Sequence, residues 1–193
     1  MQVTVFLGSK YGLDPDHAQR AINLGKFLGD HKIDLKYGGS LSGLMGLVAI
    51  NAKSNGSKIT GVYPKNHFEN ELELPNVDTF IPVDTMDRRK ELLIKDSEVF
   101  VILPGGIGTL EEVTQLLCEM SIGKTEKVPV LFLNSHGFYN NFLSQLSLMA
   151  KGGFLDLDIM NYIQEFDRLS DLTEKLLKLE EEKKCVSLKL EIK

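Results

Sequence analysis

Residues 104–112, PGGIGTLEE, set three glycines, a threonine and two glutamates directly after the apolar run EVFVIL. A glycine turn feeding a helix leaves unpaired backbone N–H groups pointing outward, and the helix dipole adds partial positive charge there, so the pattern suits an anion. Glycine lets the backbone approach such a ligand without a Cβ in the way, and Thr109 can donate a hydroxyl. A second turn, GGSLSG at 38–43, has the same form. Either turn alone is equally well explained as a tight strand-to-helix connection; the two together favour a phosphate-bearing ligand.

Three consecutive cations, Arg88, Arg89 and Lys90, stand at the start of the helical segment MDRRKELL, the end of a helix where positive charge is disfavoured. Something anionic is expected beside at least one of them. Glu111 and Glu112 have an ordinary explanation, because acids in a first helical turn complement the dipole. Leu110, Val113, Leu116, Leu117 and Met120 share one helix face. Glu111 lies nearly opposite that face and Glu112 on its flank, successive residues being about 100° apart. The two carboxylates diverge, which excludes the facing acid and base of an ordinary glycosidase.

Better-known phosphate fingerprints do not fit. A dinucleotide turn would need glycine where Glu111 stands, so a nicotinamide cofactor is not expected. The GKT at 123–125 trails a helix, and Cys118 takes the place of a P-loop's first glycine. His17, His31, His67 and His136 show no ligand spacing with one another or with cysteine, so neither a metal nor any other cofactor is assigned.

The elements that must hold these residues alternate. VTVFLGS is a strand; Asp14 and Pro15 start a helix running to about Asp30; IDLKY is a second strand; a helix opened by GGSLSG closes at Asn55 and Gly56. KITGVY, VDTFIPV, EVFVILP, VPVLFLN and NYIQEF supply five further strands. Helices are expected over MDRRKELLIKD, GTLEEVTQLLCEMSIG, FYNNFLSQLSLMAKGG and SDLTEKLLKLEEEKK, the last capped by Ser170, with Pro64 to Pro75 a long loop. Strand-then-helix units need right-handed crossovers, so the expected fold is α/β: a Rossmann-like doubly wound, mostly parallel sheet with helices on both faces, in a single domain over 1–193. The strictly alternating VSLKLEI near the end makes 183–193 an edge strand, a tail or a surface packing on a partner. In such sheets ligands collect at the carboxyl ends of the strands, where LGS, YGGS, VYP and LPGGIG converge.

The chain has 193 residues and a net charge of −5, which argues against a nucleic-acid surface. Two cysteines in unrelated segments suggest a reducing compartment, and the absence of a basic leader or long apolar run suggests a cytoplasmic protein without a membrane span.

PGGIGTLEE together with MDRRKEL resembles the Lonely Guy family, the cytokinin riboside 5'-monophosphate phosphoribohydrolases, a group that includes chains labelled possible lysine decarboxylases. The likeness runs from VTVFLGS through YGGSLSGLMG and GVYP to GFYNNFL and GGF. It implies hydrolysis of the N-glycosidic bond of a nucleoside 5'-monophosphate, with Arg89 and Glu112 as the catalytic pair. It further implies that Gly105, Gly106, Ile107, Gly108, Thr109 and Glu111 line the nucleotide site and that Glu71 contacts substrate. Lys90 is expected to grip phosphate, and Gly39 and Ser40 belong to the second glycine turn. A homodimer is implied, with its site near the interface.

Departures from the family pattern are Lys10, Asp87, Leu117, Glu119 and Ser121; they leave Arg89 and Glu112 in place and bear on which base is accepted. The rival reading is a non-catalytic nucleotide or cofactor carrier of related fold, such as molybdenum-cofactor carriers. A lysine decarboxylase ranks below both, because no lysine has a setting suited to pyridoxal.

Overall fold

A computed structural model describes residues 1–65 and 77–191, the side chains of 187–191 excepted. In chain order the elements are β1 (Gln2–Phe6), α1 (Pro15–Asp30), β2 (Asp34–Tyr37), α2 (Gly43–Ser54), β3 (Ile59–Pro64), β4 (Thr79–Val83) and α3 (Met86–Ile94). They continue with β5 (Val99–Ile102), α4 (Ile107–Ser121), β6 (Val130–Leu133), α5 (Asn140–Lys151), α6 (Leu157–Met160), β7 (Ile163–Phe166) and α7 (Leu169–Glu191). The seven strands form one sheet in the order β4-β3-β2-β1-β5-β6-β7, and every pairing is parallel.

Successive strand side chains point to opposite faces. Val3, Val5, Leu7, Val99, Val101, Leu131 and Leu133 therefore pack under α1, α2 and α7, while Phe6, Phe100, Ile102, Val130 and Phe132 pack under α3, α4, α5 and α6. Both faces are covered, as the continuous apolar strands require. Asp14 caps α1 by accepting the Asp16 N–H at 2.9 Å, with Pro15 in the first turn. The chain runs outward through β2, β3 and β4, then returns to place β5 on the other side of β1. That reversal leaves a crevice between the carboxyl ends of β1 and β5.

Two expectations are corrected. VSLKLEI is no edge strand, since α7 continues through it to Glu191. Extending a helix already nucleated adds one hydrogen bond per residue fixed, whereas a lone edge strand must find a partner ladder. Ser170 is not ahead of this helix but inside its first turn. The short α6 was not anticipated. Most of the loop from Pro64 to Pro75, Glu71 included, lies outside the described residues.

Candidate active site

At the crevice lies a cleft of about 730 Å³, lined by the loop after β1 (Leu7–Asp14), the PGGIGT turn, Glu111, Glu112, Arg89, Lys90 and Phe138. Met86 on α3 and Leu44 and Met45 on α2 add apolar wall.

The three cations of α3 separate by helical geometry. Thr85 caps the helix by accepting the Arg88 N–H at 3.2 Å, which sets its rotation. Arg88 points outward and pairs with Glu91 at 3.0 Å. Arg89 and Lys90 turn inward and are buried, at 7% and 6% exposure. The Arg89 guanidinium is fixed on three sides: Nε donates to Val62 O at 3.2 Å, Nη2 to Gly38 O at 3.3 Å, and Nη1 to Glu112 Oε1 at 2.7 Å. A Cβ on Gly38 would stand 1.9 Å from Nη2, so this glycine makes room for the arginine. Lys90 Nζ donates to Glu111 Oε1 at 2.6 Å and lies 3.3 Å from Asp87 Oδ1.

The diverging glutamates thus each meet a cation of α3. Burial pushes the Glu112 carboxyl above the usual glutamate range, and the Arg89 guanidinium pulls only part of the way back. The hydrogen bond from Lys90 to Glu111 holds the lysine ammonium above its ordinary range, against a smaller effect of burial.

The start of α4 is open. Gly106 is its N-cap and makes no side-chain cap bond, and nothing lies within 4 Å of a Cβ built on Gly106 or Gly108. Ile107 is exposed at 84%, whereas Thr109 is buried, and a Cβ on Gly105 would collide with Thr109 Oγ1 at 2.1 Å. The turn is therefore tight on its protein side and bare on its cleft side, as an anion cradle requires.

Arg89, Lys90, Gly105, Gly106, Ile107, Gly108, Thr109, Glu111 and Glu112 all come together at this cleft. Gly39 and Ser40 do not line it. Gly39 takes a left-handed φ of +81° beside Tyr63, and the buried Ser40 Oγ accepts the Ser42 N–H at 3.0 Å, so both shape the turn into α2.

Two residues were missed. Tyr139, buried behind the turn, donates to Leu103 O at 2.7 Å. Burial raises its phenol well above the ordinary tyrosine value. The segment GFYNNFL marked the family but gave Tyr139 no role. His17, given no role by its spacing, lines the cleft with its ring edge-on to Phe138 at 5.8 Å. At the rim, Asp14, Asp16 and His136 bring ligand-type atoms within 4.8 Å of one another; Asp14 is engaged in capping α1, and acids at a helix start need no ion to explain them.

Comparison with known proteins places the chain in a family. The family model described as possible lysine decarboxylase matches residues 45–176. The cytokinin riboside 5'-monophosphate phosphoribohydrolase LOG3 of Arabidopsis thaliana is 35% identical over 175 residues, covering 91% of this chain and 81% of that protein. LOG7 of the same plant is 33% identical over 189 residues, covering 98% and 87%, and LOG of Oryza sativa subsp. japonica is 36% identical over 180 residues, covering 93% and 73%. Among solved structures, the molybdenum cofactor carrier protein of Chlamydomonas reinhardtii superposes with a TM-score of 0.70 at 21% identity, over 94% of this chain and 98% of that one. The molybdenum cofactor binding protein of Rippkaea orientalis does so at 0.67 and 21%, over 92% and 96%. At that identity the structures establish a shared fold, while the sequence matches establish more: this chain belongs to the possible lysine decarboxylase family, together with the cytokinin riboside 5'-monophosphate phosphoribohydrolases.

Proposed function

We propose that this protein hydrolyses the N-glycosidic bond of a nucleoside 5'-monophosphate, of the AMP or cytokinin riboside monophosphate type, releasing free base and ribose 5-phosphate. The observation that carries the reading is the Arg89–Glu112 pair at the cleft, beside an uncapped helix start. The names of the relatives at 33–36% identity support the same chemistry.

As the base departs, the C1'–N bond breaks, positive charge builds on the ribose, and a water oxygen bonds C1' while its proton passes to the base. An ionised Glu112 stabilises that charge more in the transition state than in the ground state, and it can orient the water. Arg89 is not the proton donor, since its guanidinium stays charged. Its role is to keep Glu112 ionised and aimed. Thr109 and the open amides of α4 hold the phosphate. Glu71 is retained as a substrate contact, and Gly39 and Ser40 as residues that shape the site. No cofactor is required.

The protein is proposed to act as a homodimer in the cytoplasm, without nucleic-acid partners. Leu148 on α5 and Phe154 just after it, exposed at 61% and 89%, suit a subunit contact, and both cysteines are free. Among the described residues no helix is long and apolar enough to cross a membrane. Light scattering on the purified protein checks the dimer.

Incubation with AMP and an adenine-modified riboside monophosphate, followed by chromatography, tests the activity. Free base is expected from wild type, and Glu112→Ala is expected to release it about a hundredfold more slowly or worse. Tight nucleotide binding without base release would instead favour the carrier reading, which the two molybdenum-cofactor structures share by fold.

A further inference from the structure

Among the charged residues of the cleft, the two cations assigned by the sequence are already committed. Arg89 is spent on Glu112, Val62 and Gly38, and Lys90 on Glu111 and Asp87. Drawing Lys90 towards a phosphate would break its 2.6 Å contact and leave the Glu111 carboxylate facing a dianion. Asp14, Glu111 and Glu112 meanwhile put negative charge on the walls. Lys10 also lines the cleft, is exposed, and forms no hydrogen bond or ion pair among the described residues.

Its backbone is held beside the anion cradle. The Gly8 N–H donates to Pro104 O at 3.1 Å, stitching the loop after β1 to the turn after β5. A Cβ on Gly8 would lie 3.2 Å from Lys10 O and 3.4 Å from Gly105 Cα, so the lysine and the PGGIG turn flank one glycine. From the other side, a Cβ on Gly43 would sit 2.6 Å from the Lys10 N, so the start of α2 abuts the same residue. The main chain at Lys10 is thus wedged between two helix starts while its ammonium stays uncommitted.

We propose that Lys10, rather than Lys90, supplies the positive charge that holds the substrate phosphate against the open amides of α4. The inference rests on the nucleotide reading of the cleft. Lys90 then serves to position Glu111 and neutralise it.

Calorimetric titration with ribose 5-phosphate at low salt tests this with wild type, Lys10→Ala, Lys10→Arg and Lys26→Ala, the last an exposed lysine on α1 outside the cleft. Removal of one charged hydrogen-bond donor should weaken binding about tenfold in Lys10→Ala. Lys10→Arg should bind within about threefold of wild type and Lys26→Ala like wild type, with unchanged circular dichroism in each. With AMP as substrate, Lys10→Ala should raise KM by a similar factor and leave kcat near wild type.

Ribose 5-phosphate affinity in Lys10→Ala equal to wild type overturns the proposal, as does a wild type that fails to bind the sugar phosphate at millimolar concentration. Lys10-dependent binding in a wild type that releases no base would sink the hydrolase reading and leave the phosphate contact standing.

Discussion

Arg89 Nη1 lies 2.7 Å from Glu112 Oε1 across 23 residues of sequence, and the two side chains are only 8% and 12% exposed. Neither charge has enough water to be stable alone. The arginine also donates to Gly38 O just after β2 and to Val62 O within β3, so the ion pair joins α3, α4 and two neighbouring strands at one point.

Loss of one partner should therefore cost more stability than loss of both. Breaking a buried pair leaves an uncompensated charge and costs about 3–5 kcal/mol, whereas replacing both partners with apolar residues of similar size is often close to neutral. Arg89→Met and Glu112→Leu should each be markedly destabilised in urea denaturation, and the double variant should recover most of the loss. All three should lack base release. A double variant whose loss equals the sum of the singles would show that the pair contributes nothing as a pair.

The acid limb of kcat should lie above the ordinary glutamate pKa, because burial raises Glu112 and the ionised form is the active one. Arg89 opposes the shift, so Arg89→Lys, which keeps a cation beside the carboxylate, should leave the limb near that of wild type. The stability sign is the reverse of a usual salt bridge. A carboxylate whose folded pKa is raised binds more protons folded than unfolded between the two values. Its contribution is fully present below the unfolded pKa and is lost as pH rises through the folded one. Measured against Glu112→Gln, wild type should lose ground as pH rises through that window, and a pH-independent difference would contradict the assignment.

The parallel, doubly wound sheet and the cleft's position were legible because apolar runs alternate with capped helical patterns, and a parallel sheet has few ways to satisfy them. The pairing of Arg89 with Glu112 and of Lys90 with Glu111 was only half legible. The wheel showed the glutamates diverging, but not that two inward cations of another helix would meet one each. Lys36 was silent for a similar reason. It is buried on the face packed against α3, where Nζ donates to Lys95 O, the C-cap of that helix, and nothing in IDLKY distinguishes it from an edge-facing lysine. VSLKLEI kept an edge strand among its readings because its period of two gives no sign of the helix already running into it.

Tyr37 and Tyr139 make the last prediction, since both phenols are deeply buried and raised by burial yet differ in their partners. The Tyr37 hydroxyl has no hydrogen-bond partner among the described residues. Removing it deletes a desolvated polar group and keeps the ring, so Tyr37→Phe should be neutral or stabilising. The Tyr139 hydroxyl donates to Leu103 O at 2.7 Å, at the step from β5 into the anion turn. Tyr139→Phe removes the donor to that carbonyl in a dry setting and should cost about 1–3 kcal/mol. Because that carbonyl leads directly into the turn that offers its amides to phosphate, the same variant should raise KM for AMP, while Tyr37→Phe should not. Thermal denaturation and steady-state kinetics on the two variants check both halves; equal behaviour of the two would mean that the Tyr139 bond does not hold the turn.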